Sequence, residues 1–109
     1  ELAAYLQSYI IVKGAWTTIV TPEGNFYFNP TGNPGMATGG SGDVLTGILL
    51  GLLAQGYTRE EACRLGVYIH GLAGDIAAEA KTEIGMTAHD IVEALPVAWK
   101  KITSISPKI

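Results

Sequence analysis

The 109-residue sequence has a single cysteine, Cys63, few charged side chains and no block of basic residues. With one cysteine the chain cannot form an internal disulfide, which suits a reducing cytoplasm. Seven Lys and Arg against ten Asp and Glu give a formal net charge of −3, so nucleic acid is not expected as a partner. Because 16% of the residues are charged and 48% hydrophobic, a disordered chain is excluded and one folded domain, or part of one, is predicted.

Long apolar runs are also missing. The most apolar stretch, Val44 to Ala54, stops at Gln55 and Gly56, whereas a membrane-spanning helix needs about 20 apolar residues. Residues Glu1 to Ser8 lack the basic start and the apolar run of a signal peptide. We therefore expect a soluble, cytoplasmic protein without a membrane partner.

The first quarter of the chain predicts strands. After Glu1 to Leu6, which resembles the end of a helix, Tyr9 to Val12 and Trp16 to Thr21 are β-branched and aromatic runs suited to buried strands. Pro22 to Asn25 predicts a turn. Phe26 to Phe28 then forms a third strand, paired with the second as a hairpin.

The rest of the chain has apolar residues at helical spacing. They predict a helix from about Gly42 to Gln55, which Gly56 ends. A capping box of Thr58 and Glu61 opens a second helix. The expected apolar stripe of that helix comprises Ala62, Leu65, Ile69, Leu72, Ile76 and Ala80.

A third helix is predicted from Thr87 and Asp90, which form a weaker capping box. Pro96 is expected to break or kink it, because proline lacks an amide donor and clashes with the preceding turn. Val97 to Ile102 would then be a last helical piece, and residues 104–109 a loose tail. Three short strands cannot cover the apolar stripes of all these helices. We therefore expect a larger α/β domain, of which this is the C-terminal part, or assembly with a partner.

The segment between the strands and the helices, Asn33 to Asp43, is rich in glycine and ends in an acid. Glycine lets backbone N–H groups approach a ligand closely. The start of a helix adds unpaired N–H donors and a partial positive charge. Together these features predict an anion site suited to phosphate, formed by Gly39, Gly40, Ser41 and Gly42.

This loop is neither of the two common phosphate loops. A Walker A loop has Lys after its last glycine, where this chain has Asp43, and a dinucleotide fingerprint has a third glycine that is missing after Gly40 and Gly42. A carboxylate here can accept the proton of a hydroxyl that attacks a phosphoryl group. Asp43 can equally favour the helix start electrostatically, and the spacing alone leaves both roles open.

The run from Asn29 to Gly56, NPTGNPGMATGGSGDVLTGILLGLLAQG, resembles the signature of ADP/ATP-dependent NAD(P)H-hydrate dehydratases of the ribokinase-like superfamily. Val12 to Thr18 and Gly66 to Asp75 resemble the same family in order and spacing. The resemblance implies an α/β fold in which residues 1–109 are the C-terminal portion of one three-layer αβα domain, with short strands followed by a helical half. The N-terminal remainder of that domain would be a partner.

The resemblance also implies a repair reaction on NADH or NADPH that is hydrated on the nicotinamide ring. The ring hydroxyl would be phosphorylated from ADP or ATP, and the phosphate would then leave by elimination. Asp43 would bind the substrate and take the hydroxyl proton. Backbone N–H groups of Gly40, Ser41 and Gly42 would hold the phosphoryl group. Family members tend to form homo-oligomers, and the same is expected here.

Two segments would bind the nucleotide in such an enzyme. One is the strand end Lys13, Gly14, Ala15, Trp16 and Thr17. The other is a loop that would close around the nucleotide, comprising Asn33, Pro34, Gly35, Met36, Ala37 and Thr38, followed by Gly42. By their residue types alone, Lys13 would be a solvated strand-end lysine and Trp16 a half-buried strand residue.

Other residues have simpler expectations. His70 is predicted to be a packing histidine, with a contact near the adenine as the alternative, and Asp75 receives no role. Gly47 and Gly51 share one helix face, which favours close packing against a neighbour. No His, Cys, Asp and Glu set has the spacing of a fixed metal site, so Mg²⁺ would arrive with the nucleotide phosphates.

Two rival functions remain open from the sequence. A ribokinase-like kinase of a vitamin-precursor alcohol, of the hydroxymethylpyrimidine or thiazole type, would use the same acid and glycine loop. The segment Asn33 to Thr38 resembles the dehydratase rather than those kinases. The second rival is a non-catalytic nucleotide-binding or assembly fragment, which gains weight because the N-terminal half that the resemblance implies is not in this sequence.

Overall fold

A computed structural model describes residues 9–12 and 17–105, except the side chains of residues 104 and 105. The predictions for Glu1 to Leu6, for residues 13–16 and for residues 106–109 lie outside this range. The described elements are, in chain order, β1 (Ile10–Val12), β2 (Thr18–Val20), β3 (Phe26–Phe28), a 3-10 turn (Pro34–Met36), α1 (Ser41–Ala54), α2 (Arg59–Lys81) and α3 (Ala88–Ile105).

The strands form an antiparallel sheet in the order β1-β2-β3. The predicted hairpin of β2 and β3 is confirmed, with Ile19 opposite Tyr27. Its turn closes through a 3.0 Å hydrogen bond from the Thr21 amide to the Asn25 carbonyl. Gly24 takes a φ of +88° there, a conformation that glycine adopts without strain.

The two faces of this sheet have different environments. Ile11, Ile19 and Tyr27 are in register and pack against Leu45 of α1 and Val67 of α2. Side chains alternate between the faces of a strand. The opposite face therefore carries Val12, Phe26 and Phe28, which are 52%, 60% and 73% exposed.

Helix α1 ends as predicted. Gly56 adopts a φ of +97°, and its amide donates to the carbonyl of Leu53 at 3.1 Å. The amide of Tyr57 donates to the carbonyl of Leu52 at 3.3 Å. These two bonds form a Schellman motif, which satisfies carbonyls that the helix leaves unpaired at its end.

Helix α2 begins at the predicted capping box, in which Thr58 and Glu61 exchange side-chain to backbone hydrogen bonds of 2.9 and 3.1 Å. Its predicted stripe is only partly right, because Ala80 is exposed. The helix contacts both other helices and the 3-10 turn, so burial extends around it. Small residues account for much of that buried surface, which comprises Ala62, Gly66, Val67, Ile69, His70, Gly71, Ala73, Gly74 and Ala77.

Helix α3 corrects two predictions. It continues through Pro96 to Ile105, so the chain does not break there, and residues 104 and 105 are helical rather than part of a loose tail. A proline inside a helix costs about 3 kcal/mol. Burial of Ile91, Ala98 and Ile102 in the core shared with α2 offsets that cost, since tertiary packing supplies most helix stability.

Candidate functional site

The segment Asn29 to Ala37, here called the 29–37 loop, lies along helix α2. The buried side chain of Asn29 donates from Nδ2 to the Val67 carbonyl at 3.4 Å. The hydroxyl of Thr31 donates to the Tyr68 carbonyl at 3.0 Å. Both carbonyls belong to the middle of α2, so the loop is fixed against the helix backbone.

Glycines in α2 permit this close approach. A Cβ atom at position 71 would lie 2.7 Å from the carbonyl carbon of Thr31, and one at position 74 would overlap the side chain of Met36. The sequence analysis assigned no role to Gly71 or Gly74. Glycine inside a helix is destabilising, so a helical glycine is a signal that favours a close neighbour. The same expectation for Gly47 and Gly51 is not met among the described residues, since a Cβ atom at either position would meet nothing within 4 Å.

Asp75, which also received no role from the sequence, holds the 29–37 loop from α2. Its Oδ2 accepts a hydrogen bond from the Gly32 amide at 3.0 Å. Its Oδ1 accepts one from Asn33 Nδ2 at 2.8 Å. Asn33 Oδ1 in turn accepts from the Gly35 amide at 3.0 Å and caps the 3-10 turn. One carboxylate on α2 thus holds the central part of the 29–37 loop.

The loop and the adjacent helices enclose a cavity of about 640 Å³. Five of the residues predicted to bind a nucleotide line it, namely Thr17, Asn33, Pro34, Met36 and Ala37. Leu45 of α1 and His70 and Gly71 of α2 complete much of the wall. Among the remaining predicted residues, Lys13 to Trp16 lie outside the described range.

Gly35 and Thr38 do not line the cavity. A Cβ atom at position 35 would lie 2.7 Å from the Cα of Glu83, so Gly35 lets the 3-10 turn contact the loop between α2 and α3. The Thr38 carbonyl accepts a 3.2 Å hydrogen bond from the Ser41 amide. Both residues therefore affect the course of the chain toward α1, and neither is part of the cavity wall.

The start of α1 has the features of an anion site. Gly40 precedes the helix with a φ of +90° and provides no side-chain cap. The amides of Gly42 and Asp43 lie in the first turn, where a helix offers no acceptor. A Cβ atom at position 39 or 42 would meet nothing within 4 Å of the described chain, so both glycines face open space.

Ser41, the first residue of α1, differs from the two residues that follow it. Its amide already donates to Thr38, which leaves Gly42 and Asp43 as the first-turn amides with no intrahelical acceptor. The Asp43 carboxylate is exposed in that same turn. A ligand anion at the glycines would therefore lie beside the acid.

A buried polar contact connects the helix start with the cavity. Ser41 Oγ lies 3.3 Å from His70 Nε2, and the two residues are 3% and 4% exposed. His70 is buried as predicted, and it also lines the cavity. The cavity and the start of α1 are therefore adjacent, with His70 contacting both.

The described residues contain no cluster of three or more His, Cys, Asp and Glu side chains that could hold a metal ion. Burial raises the pKa of the Cys63 thiol, which disfavours the reactive thiolate at neutral pH. Over the same described range, no helix has both the length and the apolarity that a membrane span requires.

A family model described as NAD(P)H-hydrate dehydratase matches residues 1–97. The chain belongs to the NAD(P)H-hydrate dehydratase family. It is 51% identical over 102 residues to the bifunctional NAD(P)H-hydrate repair enzyme Nnr of Thermofilum pendens, covering 94% of this chain and 20% of that protein. It is 39% identical over 101 residues to the ADP-dependent (S)-NAD(P)H-hydrate dehydratase of Bacillus subtilis, covering 93% of this chain and 37% of that protein.

Two solved structures confirm the predicted ribokinase-like fold class. The Bacillus subtilis ADP/ATP-dependent NAD(P)H-hydrate dehydratase, co-crystallised with ATP and Mg²⁺, superposes with a TM-score of 0.86 at 38% identity and covers 92% of this chain and 36% of that chain. A ribokinase-like superfamily protein from Enterococcus faecalis gives a TM-score of 0.77 at 44% identity over 91% of this chain and 34% of that chain. The chain thus spans between about a fifth and just over a third of these relatives.

Proposed function

We propose that this chain carries the nucleotide site and the catalytic acid of an NAD(P)H-hydrate dehydratase. The complete domain would restore hydrated NADH or NADPH with consumption of ADP or ATP. The observation that carries the proposal is the juxtaposition of two parts. A cavity of about 640 Å³ lined by the 29–37 loop adjoins an uncapped helix start with an exposed acid, Asp43, in its first turn.

The nucleotide would occupy the cavity with its phosphates directed to the start of α1. The 29–37 loop and Thr17 supply the lining on this side, and Lys13, Gly14, Ala15 and Trp16 are proposed to complete the site. Amides of Gly40, Ser41 and Gly42 were expected to hold the phosphoryl group. Because the Ser41 amide already donates to Thr38, we give this role to the Gly40, Gly42 and Asp43 amides, with Gly39 leaving space.

Asp43 would act as the general base. It removes the proton of the ring hydroxyl as the oxygen attacks the terminal phosphoryl group, and the nucleotide leaves with one phosphate fewer. The carbon–oxygen bond of the phosphorylated hydrate then breaks, the neighbouring carbon loses a proton and the ring double bond returns. A positioned general base contributes about 10²- to 10⁴-fold to a rate.

Mg²⁺ would enter with the nucleotide. The described residues offer an exposed carboxylate at Asp43 but no protein cluster for a resident ion. This donor set fits an ion bound mainly by phosphate oxygens and water. When bound, Mg²⁺ would neutralise charge that develops on the transferred phosphoryl group.

The remaining proposals concern the setting of the site. The preceding part of the catalytic domain is the proposed partner for the apolar surfaces of this chain, and a homo-oligomer is the proposed assembly. A cytoplasmic location is proposed because the hydrated cofactors arise where NADH and NADPH are used.

The test is a repair assay on a completed domain, in which this chain replaces the corresponding part of the Bacillus subtilis dehydratase. Hydrated NADH, Mg²⁺ and either ADP or ATP are supplied, and both dihydronicotinamide absorbance and released inorganic phosphate are followed. We expect recovery of absorbance only with nucleotide, with one phosphate released for each cofactor repaired. The parental Bacillus subtilis enzyme is the control for the assay.

Two outcomes would contradict the proposal. Phosphorylation of a hydroxymethylpyrimidine or thiazole alcohol without repair would identify a vitamin-precursor kinase. A folded completed domain that binds nucleotide without any turnover would identify a binding module.

A further inference from the structure

We infer that Asp75 is a positioning residue that sets the nucleotide affinity of this site through the shape of the 29–37 loop. Asp75 does not line the cavity. Its effect would pass through Asn33, which does. The inference rests on the proposed function, because it assumes that the cavity takes a nucleotide.

The geometry makes the loop dependent on one carboxylate. The two oxygens of Asp75 accept hydrogen bonds from the Gly32 amide at 3.0 Å and from Asn33 Nδ2 at 2.8 Å. Gly32 has a φ of +111°, a backbone conformation that glycine adopts without strain, at the point where the carboxylate holds the chain. Asn33 Oδ1 then fixes the Gly35 amide, and the 3-10 turn Pro34–Met36 follows.

Hydrogen-bond chemistry explains why an acid is needed here. A carboxylate accepts with both oxygens, whereas an amide accepts with one oxygen and donates with its nitrogen. An Asn at position 75 would place an NH₂ group against either Asn33 Nδ2 or the Gly32 amide. Rotating Asn33 to avoid this would direct its NH₂ group at the Gly35 amide. At least one of the three hydrogen bonds is therefore lost in Asp75→Asn.

Loss of one such bond leaves a loop that must be ordered by the ligand. The observed affinity is then the intrinsic affinity multiplied by the fraction of protein molecules in which the loop already has its nucleotide-binding shape. A hydrogen bond to a charged group corresponds to about a tenfold change or more. We expect the nucleotide KM and Kd of Asp75→Asn to rise about tenfold, with kcat reduced less than threefold.

The experiment compares Asp75→Asn with Glu79→Gln in the completed domain. Glu79 lies one turn further along α2 and is exposed, so its substitution makes the same change from acid to amide away from the loop. ADP binding by calorimetry, repair kinetics and thermal unfolding are measured for both. Glu79→Gln is expected to keep the nucleotide Kd and kcat of the completed domain without substitutions, which is called the parent protein here.

A charge swap separates the hydrogen bonds from a general loss of stability. In Asn33→Asp combined with Asp75→Asn, the amide at 75 can accept from Gly32 and donate to the carboxylate at 33. That carboxylate can still accept from the Gly35 amide. All three bonds are restored, and nucleotide affinity should recover to within threefold of the parent protein, while Asn33→Asp alone should bind worst.

Three results would overturn the inference. One is an Asp75→Asn protein that is folded and binds ADP within twofold of the parent protein. Another is a loss of kcat with unchanged nucleotide KM. The third is a folded swap variant that shows no recovery. If the parent completed domain repairs hydrated NADH and any of these results is seen, the inference alone fails. If the parent neither binds nucleotide nor repairs the cofactor, both fail.

Discussion

At the scale of single residues, the glycines of this chain have two different uses. Gly71 and Gly35 allow one part of the backbone to contact another, since a Cβ atom at either position would fall within 3 Å of backbone atoms. Gly39 and Gly42 face open space in the described chain. The first pair serves packing, and the second leaves the space that the proposed phosphoryl group would occupy at the start of α1.

This distinction predicts opposite effects of the same substitution. In Gly71→Ala, overpacking against Thr31 costs about 1–3 kcal/mol, which exceeds the gain of about 1 kcal/mol in helix propensity. Because backbone atoms of Thr31 cannot yield as a flexible side chain would, we expect the upper part of that cost and a net loss of up to about 2 kcal/mol. Urea unfolding of the 109-residue chain measures it. The matched control is Gly47→Ala, also inside a helix but with nothing within 4 Å, which should gain about 0.5–1 kcal/mol. Equal effects at both positions would contradict the packing role of Gly71.

The contacts of Asp75 and Gly71 could not be predicted from the sequence. The partners of Asp75 lie 42 and 43 positions away along the chain, and no local pattern connects such residues. The glycine-rich entry to α1 and the position of Asp43 in its first turn could be predicted, because both depend on consecutive residues. The long-range contacts become visible only when the fold brings distant parts of the chain together.

At the scale of elements, capping side chains define where helices α2 and α3 begin. At the start of α3, the Thr87 amide donates to Asp90 Oδ2 at 2.8 Å, and the Asp90 amide donates to Thr87 Oγ1 at 3.3 Å. The hydrogen bond from the Thr87 backbone holds the pKa of the Asp90 carboxyl below its usual range. An acid in the first turn also favours the helix.

The lowered pKa of Asp90 predicts a pH-dependent effect of its substitution. A carboxyl with a depressed folded pKa contributes stability above its unfolded pKa, and this contribution disappears as the pH falls through the folded pKa. Asp90→Asn should therefore lower stability at neutral pH and have a progressively smaller effect in acid. Urea unfolding of the wild type, Asp90→Asn and the control Glu79→Gln is compared between neutral pH and about pH 2, which spans the range in which such a carboxyl takes up its proton. A destabilisation that is independent of pH would contradict the ionic role of Asp90.

Local signals predicted most of the element boundaries. The capping box at Thr58, the stop at Gly56 and the hairpin turn before Phe26 each depend on a few adjacent residues, and all are confirmed. The predicted break at Pro96 was wrong, because that prediction considered the helix alone. The packing of α3 against α2 keeps the helix continuous, and that packing is a tertiary property.

At the scale of the whole molecule, apolar surface remains uncovered in the described part of the chain. Phe26 and Phe28 on the outer sheet face are 60% and 73% exposed, and Leu50 on α1 is 62% exposed. Both sheet faces are apolar, as they are in a sheet with layers on each side. On the helices, Val92 and Val97 are also 45% and 47% exposed, so the surplus of apolar helix surface that the sequence predicted is present among the described residues.

These exposed side chains predict self-association of the 109-residue chain. Burying a Phe side chain contributes about 1.5–3 kcal/mol, so Phe26→Ser with Phe28→Ser should weaken association at least about tenfold. Sedimentation analysis across a concentration series measures this. Ile84→Ser is the control, since Ile84 is fully exposed but lies in the turn between α2 and α3. A chain that stays monomeric, or associates equally in both variants, would contradict the role of the sheet face.

The central claim is that Asp43 acts as a base beside a nucleotide that other residues bind. The most direct test measures the nucleotide Kd and the repair rate of Asp43→Asn on one preparation of the completed domain. The account predicts a Kd within about threefold of the parent protein and a repair rate lower by about 10² or more. Retained repair, or loss of nucleotide binding together with activity, would contradict it.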